Sequence, residues 1–246
     1  ARVELEHAPL GGWRGVLGLQ TGRRDFRADG DEAYVPPTVT TRHAAFLTEE
    51  YTLSDWRFEA GLRHEWQDID VDSSTQRDRS HRGNSVSLGA VWNFAPQYSL
   101  GMTLSRTQRL PTAEELYARG LHMATSTWER GNPELKAETA NNVDLTLRKL
   151  AGPTTLSVSV FHNRIDDYIH ARTLDAYEDF QLIEYTQRDA RFTGIEGAIR
   201  QQLDATFGLT LFGDYVRAKL EAGDGDRDLP RIPAHRIGLR LDAKWN

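Results

Sequence analysis

The stretch DWRFEAGLRHEWQ, residues 55–67, decides the fold. Read two residues at a time, it puts Trp56, Phe58, Ala60, Leu62, His64 and Trp66 on one side and Arg57, Glu59, Arg63 and Glu65 on the other. Successive side chains of a β-strand point to opposite faces, so a period of two marks a strand between two unlike surroundings. The same alternation returns over 84–94, 97–107, 140–148, 155–163 and again at the C-terminal end. Over 140–148, Val143, Leu145 and Leu147 oppose Asn142, Asp144, Thr146 and Arg148. Ile237, Leu239, Leu241, Ala243 and Trp245 oppose Arg236, Arg240, Asp242 and Lys244. Counting such runs predicts about eleven strands.

The connections between these runs alternate in length. Short turns fall near Pro9–Gly12, Leu53–Asp55, Ala95–Gln97, Ala151–Pro153 and Asp204–Thr206, and long polar connections near 26–38, 70–82, 108–136, 167–184 and 221–233. Short turns at one end and long loops at the other characterise an outer-membrane barrel, with its turns periplasmic and its loops extracellular. Trp13, Trp56, Trp92, Phe94, Tyr98, Phe207 and Trp245 lie near the short-turn ends, where an aromatic girdle belongs.

Composition bounds the alternatives. The 246 residues carry no cysteine and a net charge of -6, with a mean hydropathy of -0.59. Disulfides and thiol catalysis are excluded. No apolar run reaches the ~18–20 residues of a membrane helix, so a helical membrane protein is excluded while a barrel is not. The acidic balance speaks against a nucleic-acid partner. The N-terminus shows no signal peptide, so the chain reads as a mature piece or a cytosolic protein.

Energetics sets the phase of the strands. Arg or Lys on a lipid-facing position near mid-membrane costs ~2–4 kcal/mol. Arg57, Arg63, Arg148, Arg240 and Lys244 are therefore expected on the lumen face, with outer-membrane lipid against Leu, Val and Ile. His64 shares the lipid-facing phase. The rival fold is a soluble β-sandwich binding module, whose core face carries larger, mixed apolar groups. An odd strand number does not close a single-chain bacterial barrel, so the chain is expected to be a fragment of a larger one. The expected class is all-β: a partial transmembrane antiparallel barrel, about eleven of some 22 strands of a plugged barrel.

Residues 110–147, LPTAEELYARGLHMATSTWERGNPELKAETANNVDLTL, carry a family resemblance. Arg109-Leu110-Pro111-Thr112 through Glu115-Leu116-Tyr117, followed by Gly131-Asn132, Leu135 and Glu138, resemble the paired boxes of TonB-dependent outer-membrane receptors. FHNRIDDYI (161–169), RFTGIEGAI (191–199) and LPRIPAHRIGLRL (229–241) are similar to further stretches of that family. The resemblance covers nearly the whole chain, read as the C-terminal half of the barrel. It implies residues 1–246 as part of one barrel domain, an N-terminal plug domain absent from this chain, and a TonB-type energy-coupling partner reached through the missing part. Within the family, ELYARGLHMATSTWERGN, with RVELEHAPLG (2–11), GDYVRAKL (213–220) and RIPAHR (231–236), looks most like the ZnuD-type zinc-uptake branch. Haem receptors also carry a His between a Pro-containing box and an NPNL-type box, and Asn132-Pro133-Glu134-Leu135 is close to it. The resemblance thus implies zinc as transported ligand, with haem or a siderophore as alternative.

The residues of the long 108–136 connection say more. Thr112 and Glu115 have capping-box spacing behind Pro111, and Ala113–Arg119 are good helix formers. Gly120 suits the position just past the helix end. His122 follows it, and a neutral imidazole there suits Zn²⁺ or an axial haem position; the alternative is a histidine hydrogen-bonded within a structured loop. No second ligand stands at helical i+4 spacing, so further ligands would come from the plug or other loops. His81, His170, Asp175, Glu178, Asp179, Asp224, Asp226 and Asp228 populate the long loops as weaker cation-binding candidates or plain solvating charges. The 224–228 run lacks the calcium-loop pattern. No nucleophile elbow, phosphate loop or aligned carboxylate pair is present, so no enzyme is expected. A passive porin-type channel is the reading favoured only if the gene lacks a plug.

Overall fold

The computed structural model describes residues 1–30, 33–221 and 227–245. Asp224 and Asp226 lie outside the described residues. Strands β1 (Arg2–Glu6), β2 (Trp13–Phe26), β3 (Thr38–Leu53), β4 (Trp56–Val71), β5 (Arg79–Ala95) and β6 (Tyr98–Arg109) run up and down in sequence order. The helix α1 (Ala113–Tyr117) follows, then the short strands β7 (Arg119–His122) and β8 (Thr127–Arg130), separated by one 3₁₀ turn at Met123–Thr125. β9 (Glu138–Lys149), β10 (Thr154–Tyr177), β11 (Phe180–Gln202), β12 (Phe207–Leu220) and β13 (Arg236–Ala243) complete the sheet. Its order is β1-β2-β3-β4-β5-β6-β9-β10-β11-β12-β13, antiparallel throughout, so eleven strands lie on the main path and β7 and β8 lie off it.

The two faces of the sheet differ as the alternation requires. Leu88 is 56% exposed and Ile195 46% exposed, and Leu62, Met102, Leu104, Val143, Leu145 and Leu211 are exposed on the same face. A soluble monomer rarely leaves more than a few hundred Å² of contiguous apolar surface in water. A lipid solvent removes that penalty, and a continuous band of this kind is what an outer-membrane barrel turns to the bilayer. Near the short turns the rings form a ladder: Trp56 stacks on Trp92 at 5.3 Å and on Phe58 at 5.7 Å, and Phe94 meets Tyr98 at 5.8 Å. The outward face is not wholly uncharged. Glu49 shares the outward side of Ala60, with His7 Nε2 3.2 Å away. A side chain at Gly15 would collide with that carboxylate, at 2.4 Å.

The long connections differ in detail from those expected. The segment 167–184 is not a loop: β10 and β11 stay paired until Tyr177 faces Phe180, so only Glu178 and Asp179 turn the chain. Ile169 and Ile183 of this hairpin are buried, but Arg172, Thr173, Asp175, Ala176 and Gln181 toward its tip are exposed, which erases there the period-two pattern by which the strands could have been read. A register shift between Ile165 and Tyr168, with Asp167 at φ 57°, bends the hairpin where it leaves the membrane-spanning part. The 70–82 connection shrinks likewise, because β4 runs to Val71 and β5 starts at Arg79. The 108–136 connection holds two strands besides its helix.

Among the described residues one buried cluster gathers Ala190, Ala218, Leu220 and Leu229, and a larger one sits where this last connection folds back onto the inward face. Ala113, Leu116, Tyr117 and Leu135 pack with Ile69 of β4 and Ile169 of β10. Ile69 has the same phase as Arg63 and Glu65, so the helix lies on the lumen side.

Candidate functional site

The helix is short because both its ends are specified. Thr112 Oγ1 accepts from the Glu115 amide at 3.3 Å, and Glu115 Oε2 accepts from the Thr112 amide at 2.9 Å. This closes a reciprocal capping box. The Ala118 amide still donates to the Glu114 carbonyl, but Ala118 itself is extended and ends the helix, two residues before Gly120. Gly120, expected just past the helix end, instead lies inside β7. Its φ is +152°, and a Cβ there would come within 3.1 Å of Tyr34 Cβ. The Arg119 amide donates to the Tyr34 carbonyl at 2.6 Å. The strand thus continues because it is pinned to the 33–37 segment.

The two sequence boxes meet in space. Arg109, last in β6, donates through Nε and Nη2 to Glu138, first in β9, at 2.6 and 2.8 Å. Its Nη1 donates to Glu115 at 3.0 Å. Glu138 is 6% exposed and also accepts from the Ile169 amide at 2.6 Å. One carboxylate therefore ties together the strand entering the loop, the strand leaving it and the β10–β11 hairpin. Fork-to-carboxylate pairing of this kind holds geometry well, and it keeps the Arg109 guanidinium protonated well beyond its ordinary range. Pro111 is held at its carbonyl by Gln67 Nε2 at 2.8 Å, and Gln67 is held in turn by Arg42 at 2.7 Å. Tyr117, wholly buried, donates its hydroxyl to the Arg77 carbonyl at 2.9 Å. Burial pushes its pKa up to about 12. Gly131 is needed for close approach: a Cβ there would lie 2.6 Å from the Leu116 carbonyl carbon. Its amide donates to the Ala118 carbonyl, and the Asn132 amide donates to the Glu115 carbonyl at 2.9 Å. Asn132 Oδ1 then accepts from the Glu134 amide at 3.0 Å, turning the chain toward β9.

On this frame β7 and β8 form a small hairpin, and β8 adds in parallel to the outer end of β11. His122 sits at its tip. Its Nδ1 lies 2.8 Å from Glu129 Oε1, so the ring donates there, and its face stacks on Tyr34 at 4.7 Å. Glu129 is 4% exposed and takes two further donors, the Tyr185 hydroxyl at 2.9 Å and Thr127 Oγ1 at 3.2 Å. Burial, with the Glu129 charge beside it, holds the Tyr185 hydroxyl protonated far above its ordinary value, and burial does the same more mildly to Tyr34. With Nδ1–H committed to a carboxylate, the neutral imidazole keeps its lone pair on Nε2. A carboxylate that orients a histidine in this way is the common support of a metal-ligating imidazole.

The other candidates do not join His122. Glu178 and Asp179 turn the β10–β11 hairpin next to the Ser126 turn, whose carbonyl accepts from the Gln181 amide at 3.2 Å. His170 faces Thr186, five residues further along β11 than the Gln181–Thr127 pair. Its Nε2 is buried without a hydrogen-bond partner among the described residues, and burial pushes its pKa down. His81 stands under the loop exit, with Nε2 3.3 Å from the Leu135 carbonyl and its pKa also lowered by burial. Asp228 pairs with Lys219 at 3.2 Å. Among the described residues no group of three or more His, Asp or Glu side chains is placed to hold a metal ion. Glu129, Tyr185 and Tyr34 escaped the sequence reading, since they come from three separate segments, Glu129 and Tyr34 touching His122 and Tyr185 holding Glu129, and match no motif.

Comparison with known proteins agrees with this architecture. The family described as TonB dependent receptor-like, beta-barrel, matches residues 2–246. Vitamin B12 transporter BtuB of Photobacterium profundum is 25% identical over 206 residues, covering 82% of this chain and 29% of that protein. Hemoglobin-haptoglobin utilization protein B of Neisseria meningitidis serogroup C is 25% identical over 207 residues, covering 68% of this chain and 25% of that protein. The chain thus spans less than a third of the length of these relatives. The solved structure of copper transporter OprC superposes with a TM-score of 0.83 at 17% identity, over 99% of this chain and 40% of that one. At that identity the likeness is one of fold. With an antiparallel sheet banded by lipid-facing side chains and a family match along its whole length, the chain belongs to the TonB-dependent receptor β-barrels of the bacterial outer membrane.

Proposed function

We propose that the protein containing this sheet is a gated outer-membrane receptor that imports a scarce metal nutrient, with zinc as the ligand and His122 as one of its captors. The observation that carries this is the His122–Glu129 pair. It fixes the tautomer and presents Nε2 as a Lewis base from a loop folded onto the lumen side. The supporting shell is built as such sites require, because Glu129 is itself held by Tyr185 and Thr127. A tetrahedral zinc ion needs further donors, which this reading assigns to a plug domain contributed from outside residues 1–246. In the same reading, residues 1–246 form part of a single barrel domain, and a TonB-type partner supplies the force that moves the plug.

Haem is the second reading, and a different feature favours it. A haem iron accepts a single protein imidazole as proximal ligand, and one oriented imidazole is what this loop offers. A relative of the chain is named for haemoglobin–haptoglobin utilisation.

The test uses the full-length receptor in detergent. Titration calorimetry with a zinc salt and Soret spectroscopy with haem are run on the wild type and on His122→Ala. Zinc binding lost in the variant supports the first reading, and a Soret band lost in the variant supports the second. Unchanged binding of both removes His122 from the site.

A further inference from the structure

One face of the His122 imidazole is already taken. The Tyr34 ring lies on it, with centroids 4.7 Å apart and planes 18° from parallel. Tyr34 comes from a different connection, the one between β2 and β3, and is held there by its backbone. Its carbonyl accepts from the Arg119 amide at 2.6 Å. Gly120 leaves it room, since a Cβ there would come within 3.1 Å of Tyr34 Cβ and 3.3 Å of Tyr34 Cα. The next residue, Val35, is 1% exposed, and Pro36 and Pro37 follow it. Proline fixes its own φ and holds the residue before it extended, so the phenol is carried on a stiff anchor. A second tie, from Arg24 of β2 to Glu114 of α1 at 2.9 Å, joins the top of β2 to the helix.

Glu129 and Tyr34 thereby fix different things about one ring. Glu129 accepts from Nδ1 at 2.8 Å and sets the tautomer. Tyr34 sets the plane, and it fills the space on one side of that plane. This bears on what Nε2 can accept. A bare ion approaches an imidazole lone pair in the plane of the ring, to a zinc–nitrogen distance of ~2.0–2.1 Å. A group lying on the ring's face does not obstruct that path. An axial imidazole, by contrast, stands upright on its porphyrin, so a haem iron on the same nitrogen brings a broad plate that spreads to both sides of the ring plane. On one side that plate meets the Tyr34 phenol.

We propose that Tyr34 is a specificity-determining residue of the His122 site, which admits a small divalent cation and turns away a metal already enclosed in a macrocycle. The inference rests on the reading of His122 as a metal captor and goes beyond it by naming what selects the ligand. The ring of Tyr34 does the selecting and not its hydroxyl, because stacking is a contact of the ring's face. An aromatic pair of this kind contributes about two- to tenfold beyond its buried area, which is the share of zinc affinity assigned to holding the imidazole plane. Forcing a group against atoms that cannot move aside costs more, about five- to a hundredfold, which is the share of haem affinity that Tyr34 removes.

The test uses the full-length receptor in detergent, with a zinc salt followed by calorimetry and haem followed by its Soret band. Tyr34→Ala should gain about five- to a hundredfold in haem affinity and lose about two- to tenfold in zinc affinity. Tyr34→Phe should match the wild type for both ligands. Adding His122→Ala to Tyr34→Ala should abolish the gained haem binding. Haem bound no more tightly by Tyr34→Ala than by the wild type overturns the inference, and so does a gain that survives without His122. A Soret band of the wild type that disappears in His122→Ala overturns it too, without any Tyr34 variant having to fold. Zinc binding unchanged in His122→Ala is a separate failure: the capture reading falls first and takes the inference with it. Zinc binding lost in His122→Ala while Tyr34→Ala gains no haem leaves capture standing and removes only the role of Tyr34.

Discussion

Replacing Glu138 by alanine should release the loop that carries His122. In the native protein this carboxylate accepts from Arg109 twice and from the Ile169 amide. The Arg109 side chain is 43% exposed and keeps its contact with Glu115, so water and Glu115 recover much of what it loses. The Ile169 amide is buried and has no such recourse. An orphaned buried donor costs about 1–3 kcal/mol, and a hydrogen bond to a charged group contributes about 1.5–3 kcal/mol before that discount. Together the loss comes to about 2–4 kcal/mol, which is about a thirty- to several-hundred-fold rise in the local opening constant. Native-state hydrogen exchange on the full-length receptor reads this directly at the amides of Leu116, Gly131 and Asn132, which bond within the loop. Glu138→Gln keeps one carbonyl acceptor and should cost about half as much. If protection over 111–135 is unchanged in Glu138→Ala, the loop is held by its apolar contacts alone and the clamp described above is wrong.

Three further outcomes follow from the same geometry. Gly131→Ala forces a Cβ against the backbone of Leu116 and Ala118, atoms that cannot swing aside, and should destabilise the loop by about 1–3 kcal/mol; exchange rates at Asn132 equal to wild type would count against that close approach. Leu116→Ala empties a fully buried position and should cost about 2–5 kcal/mol, read as loss of protection across α1 and Leu135. His81 is half-buried, and that burial, with Arg79 beside it, lowers its pKa from the ordinary 6.5. The opened loop then binds more protons than the closed one as pH falls below 6.5, so stability is full above that value and is lost on acidification. Loop exchange, corrected for its chemical rate, should rise at acid pH in the wild type and stay flat in His81→Gln; the same slope in both would assign the effect elsewhere.

The sheet was legible where the two faces of a strand meet different media. Residues 55–67 alternate because Leu62 meets lipid and Arg63 meets the lumen, and the eleven strands of the main path follow from that contrast. The β10–β11 extension was not legible, because Thr173, Asp175, Gln181 and their neighbours have water on both sides. The capping box of Thr112 and Glu115 is local and could be read from spacing. The clamp from Arg109 to Glu138 could not, although both residues stood in the quoted boxes, because its meaning depends on two strands adjoining across a 28-residue excursion, 110–137. Likewise Tyr185 stands 56 residues from Glu129, and only folding the β8 hairpin against β11 makes them partners.

In the proposed receptor an imidazole held by Glu129 captures the imported metal. The most direct measurement is uptake of radioactive zinc, with a parallel haem arm, by cells carrying the full-length receptor as wild type, His122→Ala or Glu129→Gln at limiting ligand. Loss of a carboxylate behind a metal-bound histidine costs ~10–100-fold in affinity. Uptake in Glu129→Gln should fall by about that factor, and in His122→Ala by at least as much, with normal amounts of receptor in the membrane. Zinc and haem uptake both at the wild-type rate in His122→Ala would show that this imidazole captures neither ligand.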